Sequence, residues 1–379
     1  VSAAPQRVII KVCSLEIIAM TSTLFPELGF YLLPGHTATP ADLITEVIKG
    51  EQLGMGSAWI SERFDAKEIA VCVGAAGAVT NRIFIGTGAT NISTRHVMTT
   101  AAMATTASLL TKGRFALGIA RGVGIRYDSW GIQGIKNQHM RDFIDIMRKL
   151  WKGERVMGYD GVLGKFPYLH LTSWMNEDIP LLFVGFGEKS LEFAGSVFDG
   201  VVLHTFFSDE AMKRAVAAVR RGAEKAGRDP SSVKIWSVVA VACNPTDAQR
   251  HKYLTARMAT YLQAPGYGEL LIQINGWDNA VLEQFRAAPI VKGMLGSIDS
   301  VATTEQLEEI SQLIPAEWLQ PAAAGTPEQC AAYIHRQFDV GADGVILHAS
   351  TPAEFEPVLE PYAKLRDGAR FAGRTERPC

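Results

Sequence analysis

Eight short apolar runs, each followed by a stretch of helix-forming composition, constrain this chain more than any other feature. The runs are Gly29 to Leu33, Ser57 to Ser61, Arg82 to Thr87, Arg114 to Ala120, Pro180 to Val184, Gly200 to His204, Val233 to Ala242 and Asp343 to His348. Several are apolar almost without interruption, the pattern of a strand covered on both faces and hence of a parallel sheet. The intervening segments read as helices: Pro40 to Leu53, Ala66 to Val79, Val97 to Leu110, Lys136 to Trp151, Glu188 to Val197, Ser208 to Ala226, Pro327 to Val340 and Pro352 to Leu365. Three open on Thr-Pro (Thr39-Pro40, Thr326-Pro327, Thr351-Pro352), an N-cap followed by Pro in the first turn. Gly54, Gly113, Gly227 and Gly341 mark ends. Eight strand–helix units spell an α/β protein of the (β/α)8 TIM-barrel class. A doubly wound sheet would carry a glycine-rich turn after its first strand, where this chain has Pro34-Gly35-His36-Thr37.

The 379 residues exceed what a bare barrel needs in two places. A stretch at about 154–176, rich in Gly and aromatics, reads as a hairpin or extended insertion after the fourth helix. A second, at about 264–326 between strands seven and eight, reads as further helical pieces. Loops this long are commonly lids or interaction surfaces. Residues 1–19 fit neither strand nor helix of the barrel, and Lys11 and Glu16 interrupt their apolar runs. They are expected to be an N-terminal extension, with Met20 as the native start and 20–379 as one barrel domain. A formal charge of −2 without a basic run argues against nucleic-acid and membrane-surface roles. Five scattered cysteines form neither a paired metal motif nor an even disulfide framework, which suits a reduced, cytoplasmic protein.

In a barrel of this kind, chemistry sits on the loops leaving the carboxyl ends of the strands. Those loops hold His36 and Thr37, Glu62 and Arg63, Gly88 to Asn91, Arg121 to Tyr127, Gly185 to Lys189, His204 and Thr205, and His348 to Thr351. No metal-ligand spacing and no Gly-x-Ser-x-Gly elbow occurs among them. Gly185-Phe186-Gly187-Glu188-Lys189 has the clearest physical meaning. It joins a strand to a helix, so unpaired N–H groups and the positive dipole end face the cleft, and Lys189 adds a point charge.

Gly88-Ala89-Thr90-Asn91 with Thr94-Arg95-His96, then Gly113-Arg114 and Leu117-Gly118-Ile119, resemble the luciferase-like flavin and deazaflavin oxidoreductase superfamily. The likeness runs from about Leu28 to Leu365 and is nearest to the methylenetetrahydromethanopterin reductases and their deazaflavin-dependent relatives. It implies hydride transfer between C5 of coenzyme F420 and a small organic substrate, with FMN as the alternative cofactor. It also implies a cis peptide between Gly88 and Ala89 behind the ring, and a phosphate held by Gly185, Phe186, Gly187, Glu188 and Lys189. Glu62, Gly88, Ala89, Thr90, Asn91, Arg121 and Gly122 would line the ring and its side chain. A homodimer is expected.

The resemblance departs at Ser61-Glu62-Arg63, where relatives usually show Asp-His. Arginine holds charge but is a poor proton shuttle, so Arg63 is expected to stabilise charge and Glu62 to orient it. The substrate proton would then move through His36, His204 or His348. Lys67 matches the reductase-like subgroup, and Val123 stands where deazaflavin sugar-phosphate dehydrogenases carry Glu, which disfavours a sugar phosphate. Two readings stay open beside this one, an FMN-dependent monooxygenase and a flavin-binding barrel without turnover.

Overall fold

A computed structural model describes residues 24–35, 39–64, 66–122 and 124–379. The expected extension 1–19, with His36, Thr37 and Val123, lies outside the described residues.

The eight anticipated strands close into one ring. They are β1 (Phe25–Tyr31), β2 (Met55–Ile60), β3 (Phe84–Thr87), β4 (Phe115–Ala120), β5 (Leu181–Val184), β6 (Gly200–Val202), β7 (Lys234–Cys243) and β8 (Gly344–His348). Each pairs in parallel with its neighbours in chain order, and β8 returns to β1, so the sheet has no free edge. The first strand begins four residues before its apolar run suggested, because Glu27 interrupts the pattern. Glu27 is fully buried and accepts from Tyr362 Oη at 3.0 Å and from Arg366 Nε and a terminal guanidinium nitrogen at 2.5 and 3.0 Å. A paired buried carboxylate is tolerated inside a strand but invisible to a hydropathy count.

Helices α1 (Asp42–Gln52), α2 (Ile69–Ala78), α3 (Val97–Leu110), α4 (Asn137–Trp151), α5 (Glu188–Val197), α6 (Asp209–Lys225), α7 (Pro327–Asp339) and α8 (Pro352–Leu365) surround the ring. Thr326 and Thr351 cap α7 and α8 with Pro in the first turn, as anticipated. Thr39-Pro40 instead forms a tight turn ahead of α1, whose N-cap is Ala41. Inside the ring Trp59 and Trp236 face each other at 5.8 Å, with Phe84, Leu182, Val202 and Ile346 around them. The indoles need backbone at close quarters: a Cβ on Gly86 or Gly344 would lie about 2.5 Å from one of them.

The stretch after α4 is an antiparallel hairpin, Val156–Gly161 with Gly164–Leu169, held by the stacked rings of Tyr159 and Phe166. The longer insertion is mainly helical, from Asp247–Arg250 through Ala256–Gln263, Tyr267–Asn275, Asn279–Ala287 and Thr304–Ser311. It returns as a short strand, Ala323–Gly325, paired with the end of β7. Three residues of small side chain gave no sequence signal for that strand. The tail 370–379 packs across the opposite end of the barrel, where Trp236 Nε1 donates to the Pro378 carbonyl at 3.0 Å.

Candidate functional site

Glu62, at the tip of β2, anchors one side of the barrel mouth. Its carboxylate accepts from Thr90 Oγ1 at 2.7 Å, Asn91 Nδ2 at 3.4 Å and Arg95 at 2.6 Å, and its side chain is 3% exposed. Arg95 also pairs with Glu68. The Asn91 carbonyl oxygen accepts from the Ser93 and Thr94 amides at 3.0 and 2.9 Å, closing the turn into α3. The Gly88–Ala89 peptide bond is cis. It is pinned to β2 on both sides: Gly88 N donates to the Ile60 carbonyl at 2.7 Å, and Glu62 N to the Ala89 carbonyl at 3.0 Å. Thr90–Asn91 then pairs with the end of β4. Thr90 and Asn91 are thus buried and occupied by protein partners, while Gly88 is buried against the Tyr31 side chain and Ala89 is half-buried.

Between β4 and β5 the site changes character. Arg121 donates to Ser190 Oγ at 2.9 Å and to Asn137, and its guanidinium lies 6.0 Å from the Phe183 ring. Its Nε is buried without a hydrogen-bond partner among the described residues, and desolvation holds its pKa below the usual arginine range. Among the described residues it pairs with no carboxylate. Ser190 lies in the first turn of α5, whose N-cap, Gly187, has no side-chain cap and φ of +94°, a conformation that favours glycine. Lys189 is exposed beside it, whereas Glu188 turns outward to Arg221 at 2.5 Å. Phe186 points inward, and Gly122 lies against the Tyr127 ring. The uncapped N-terminus of α5 and a desolvated guanidinium thus lie side by side, an arrangement of the kind that suits an anion.

The far side is built largely by the long insertion. Arg63 donates to Asp299 Oδ2 at 3.1 Å and Ser300 Oγ at 2.6 Å, and Arg257 meets the same Asp299 oxygen at 2.9 Å. Both guanidiniums hold the Asp299 carboxyl below the usual carboxylate range despite its burial. Lys67 adds a third cation, its ammonium donating to the Leu32 and Leu33 carbonyls at 3.2 and 2.8 Å. Burial first, then repulsion from Arg257 and Arg63, pushes its pKa down to about 7. Glu46 accepts from Leu33 N at 2.7 Å, and burial pushes its carboxyl up to about 7.

His204, after β6, contacts the Thr205 carbonyl through Nδ1 at 3.2 Å and the Tyr267 hydroxyl through Nε2. Burial pushes its pKa down to about 3. The rings of Phe186, Tyr261 and Tyr267 lie 5.0, 4.4 and 5.1 Å from it. His348 Nδ1 accepts from the Ala349 amide at 2.5 Å, and its ring lies 4.6 Å from that of Tyr31.

Arg257, Tyr261, Tyr267 and Asp299 have no place in the sequence reading. The insertion brings them to Arg63 and His204 across 236 and 63 residues, and no local pattern announces that. The only cue was the length of the insertion.

The sequence model of the luciferase-like monooxygenase family matches residues 27–344. The 5,10-methylenetetrahydromethanopterin reductase of Methanolobus tindarius is 28% identical over 318 residues, 82% of this chain and 92% of that protein. The F420-dependent glucose-6-phosphate dehydrogenase of Mycolicibacterium fortuitum is 27% identical over 231 residues, 57% of this chain and 68% of that protein. Among solved structures, the coenzyme F420-dependent tetrahydromethanopterin reductase of Methanopyrus kandleri has the same fold, with a TM-score of 0.74 at 19% identity over 90% of this chain and 99% of that one. An F420-dependent secondary alcohol dehydrogenase follows at 0.68 and 18%, with the same coverage. With the barrel and the family match across most of its length, the chain belongs to the luciferase-like monooxygenase family.

Proposed function

We propose that this protein is an F420-dependent oxidoreductase that transfers hydride between the deazaflavin and a small organic substrate at the barrel mouth. The observation that carries the reading is Arg121: a desolvated guanidinium without a carboxylate among the described residues, beside the uncapped start of α5. That arrangement suits the cofactor's phosphate, and the Gly88–Ala89 turn at the same mouth suits a flat ring. FMN has nearly the same outline, so the preference for F420 rests on the relatives named as F420-dependent.

When bound, the deazaflavin supplies a two-electron hydride carrier at C5. Gly88 and Ala89 would back the ring, and Arg121, Lys189 and the amides of the Gly185–Lys189 loop would hold the phosphate. Arg63 and Arg257 share the single carboxylate of Asp299, so that side of the mouth favours negative charge wherever it develops. The site of action is a reducing cytoplasm, in keeping with the free thiols of Cys72, Cys243, Cys330 and Cys379. A homodimer is supported by α2 and α3, which carry no charged residue and expose Val71, Leu109 and Leu110.

Equilibrium titration with F420 and FMN, side by side, tests the proposal. Tighter binding of F420 is expected; tighter binding of FMN, or binding of neither, contradicts it.

A further inference from the structure

The insertion places a tyrosine hydroxyl on a histidine at the mouth, and the chemistry of that pair can be read from its partners. The Thr205 carbonyl only accepts, so His204 Nδ1 carries the ring's proton. With its pKa pushed down to about 3 the imidazole is neutral, which leaves Nε2 as an acceptor. Tyr267 therefore donates, and the lone pairs of its oxygen remain for another group. Phe186 and Tyr261 wall the pair on two sides, yet His204 and Tyr267 are only half-buried. The pair sits on the Arg63 side of the mouth, because Arg257, 5.8 Å from the Tyr261 ring, shares Asp299 with Arg63. Burial first, then the Tyr261 and Tyr31 hydroxyls, push the Tyr267 pKa well above the usual tyrosine range against the opposing charge of Arg257. Tyr267 thus stays a neutral donor that passes a proton on as it receives one.

We propose that Tyr267 exchanges the proton on the substrate's oxygen, with His204 as the base behind it, and that the substrate is an alcohol–carbonyl pair. The proposal rests on the hydride-transfer reading above. In the oxidising direction, the substrate C–H bond breaks and its electron pair leaves with the hydrogen as hydride to the oxidised deazaflavin. The O–H bond breaks and its pair becomes the carbonyl π bond. That proton passes to the Tyr267 oxygen as the Tyr267 proton passes to His204 Nε2, and the imidazolium then releases its proton to solvent. Reduction runs the same steps backwards. Because burial disfavours the imidazolium, His204 does not stay charged beside Arg257, and the pair resets after each turnover.

Three measurements decide it. Nitrogen-15 NMR of the cofactor-free protein should show His204 neutral, protonated on Nδ1, from pH 5 to 9. Tyr267→Phe should shift its Nε2 signal. An Nε2-protonated ring, or no shift in Tyr267→Phe, overturns the relay. Fluorescence titration should give Tyr267→Phe an F420 affinity within about threefold of wild type. Single turnover of the F420-loaded protein with propan-2-ol and cyclohexanol should slow about 100-fold in Tyr267→Phe, the scale of one general acid–base group. The solvent isotope effect should disappear with it. His204→Asn, which keeps an acceptor for Tyr267, should retain more of the rate than His204→Leu. Wild-type turnover of neither alcohol, or equal rates in Tyr267→Phe and wild type, overturns the proposal. Failure of the wild-type protein to bind F420 would instead remove the reading on which it rests.

Discussion

The rim over β2 to β4 and the rim over β5 to β7 use similar residues, but the first is closed on itself and the second is not. Over β2 to β4, Glu62, Thr90, Asn91 and Arg95 hydrogen-bond to one another, and the Gly88–Ala89 turn is tied to β2 by its own backbone. Its side chains are spent on holding a shape. On the second rim Arg121, at the end of β4 beside α5, and Arg257, from the insertion, each keep a buried Nε without a hydrogen-bond partner among the described residues. Arg95 in the first rim does too, but it holds two carboxylates where Arg121 holds none among those residues. An unpartnered buried donor is costly. Such donors persist where another molecule completes them. The proposed reading therefore makes the first rim, where Glu62 and Glu68 hold Arg95, a backrest and the second, around Arg121, the reader of the ligand.

The largest effect should come from breaking the closed rim. Glu62→Ala leaves Arg95, 13% exposed, with only Glu68 and removes the acceptor of Thr90. Removing one partner of a buried pair typically costs about 3–5 kcal/mol. A fall in unfolding free energy of that order in urea is expected, with F420 binding lost as the turn relaxes. Full stability with binding alone impaired would move Glu62 from scaffold to ligand contact.

Breaking the open rim should do the reverse. Arg121→Met is expected to leave the urea midpoint nearly unchanged and to weaken F420 by about 2–3 kcal/mol, one charged hydrogen bond with its desolvation. Lys189→Ala, exposed, should cost less, about 1 kcal/mol. Riboflavin, which has no phosphate, should bind both variants as it binds wild type. Equal losses for riboflavin and F420 would show that neither residue meets a phosphate.

An effect that only a change of pH reveals lies under the loop after β1. Lys67 has a folded pKa near 7 against an ordinary 10.5, so the unfolded chain binds more protons between those values. Its contribution to stability therefore rises with pH across that window. Glu46, with a folded pKa near 7 against 4.5, binds its extra proton when folded, and its contribution falls from pH 4.5 to 7. Lys67→Met should flatten the alkaline rise and leave the acid limb, measured as urea midpoints from pH 5 to 10. An unchanged alkaline limb would mean that Lys67 is not desolvated.

The same contrast governs what the sequence discloses. The closed rim lies within about thirty residues, Glu62 to Asn91, and its small and hydroxyl residues stand out between two apolar strands. The α5 loop is legible for the same reason, since Gly187 and the helix behind it are neighbours in the chain. Glu27 hid the start of β1 because its partners, Tyr362 and Arg366, lie more than three hundred residues away. The insertion side was illegible on the same ground. Its residues follow helix patterns that report burial, not which strand tip they will face. Glu62 was expected to orient Arg63, yet its carboxylate is taken by Arg95, and Asp299 holds Arg63. Charge alone did not choose between those carboxylates; geometry did.

The central claim is that one rim backs the ring and the other reads the ligand. A crystal structure of the protein soaked with F420 tests it most directly. The account predicts the ring against Gly88–Ala89, with the phosphate on the α5 amides and within hydrogen-bond reach of Arg121. A ring seated against Tyr261 and Tyr267, or a phosphate away from α5, would contradict it.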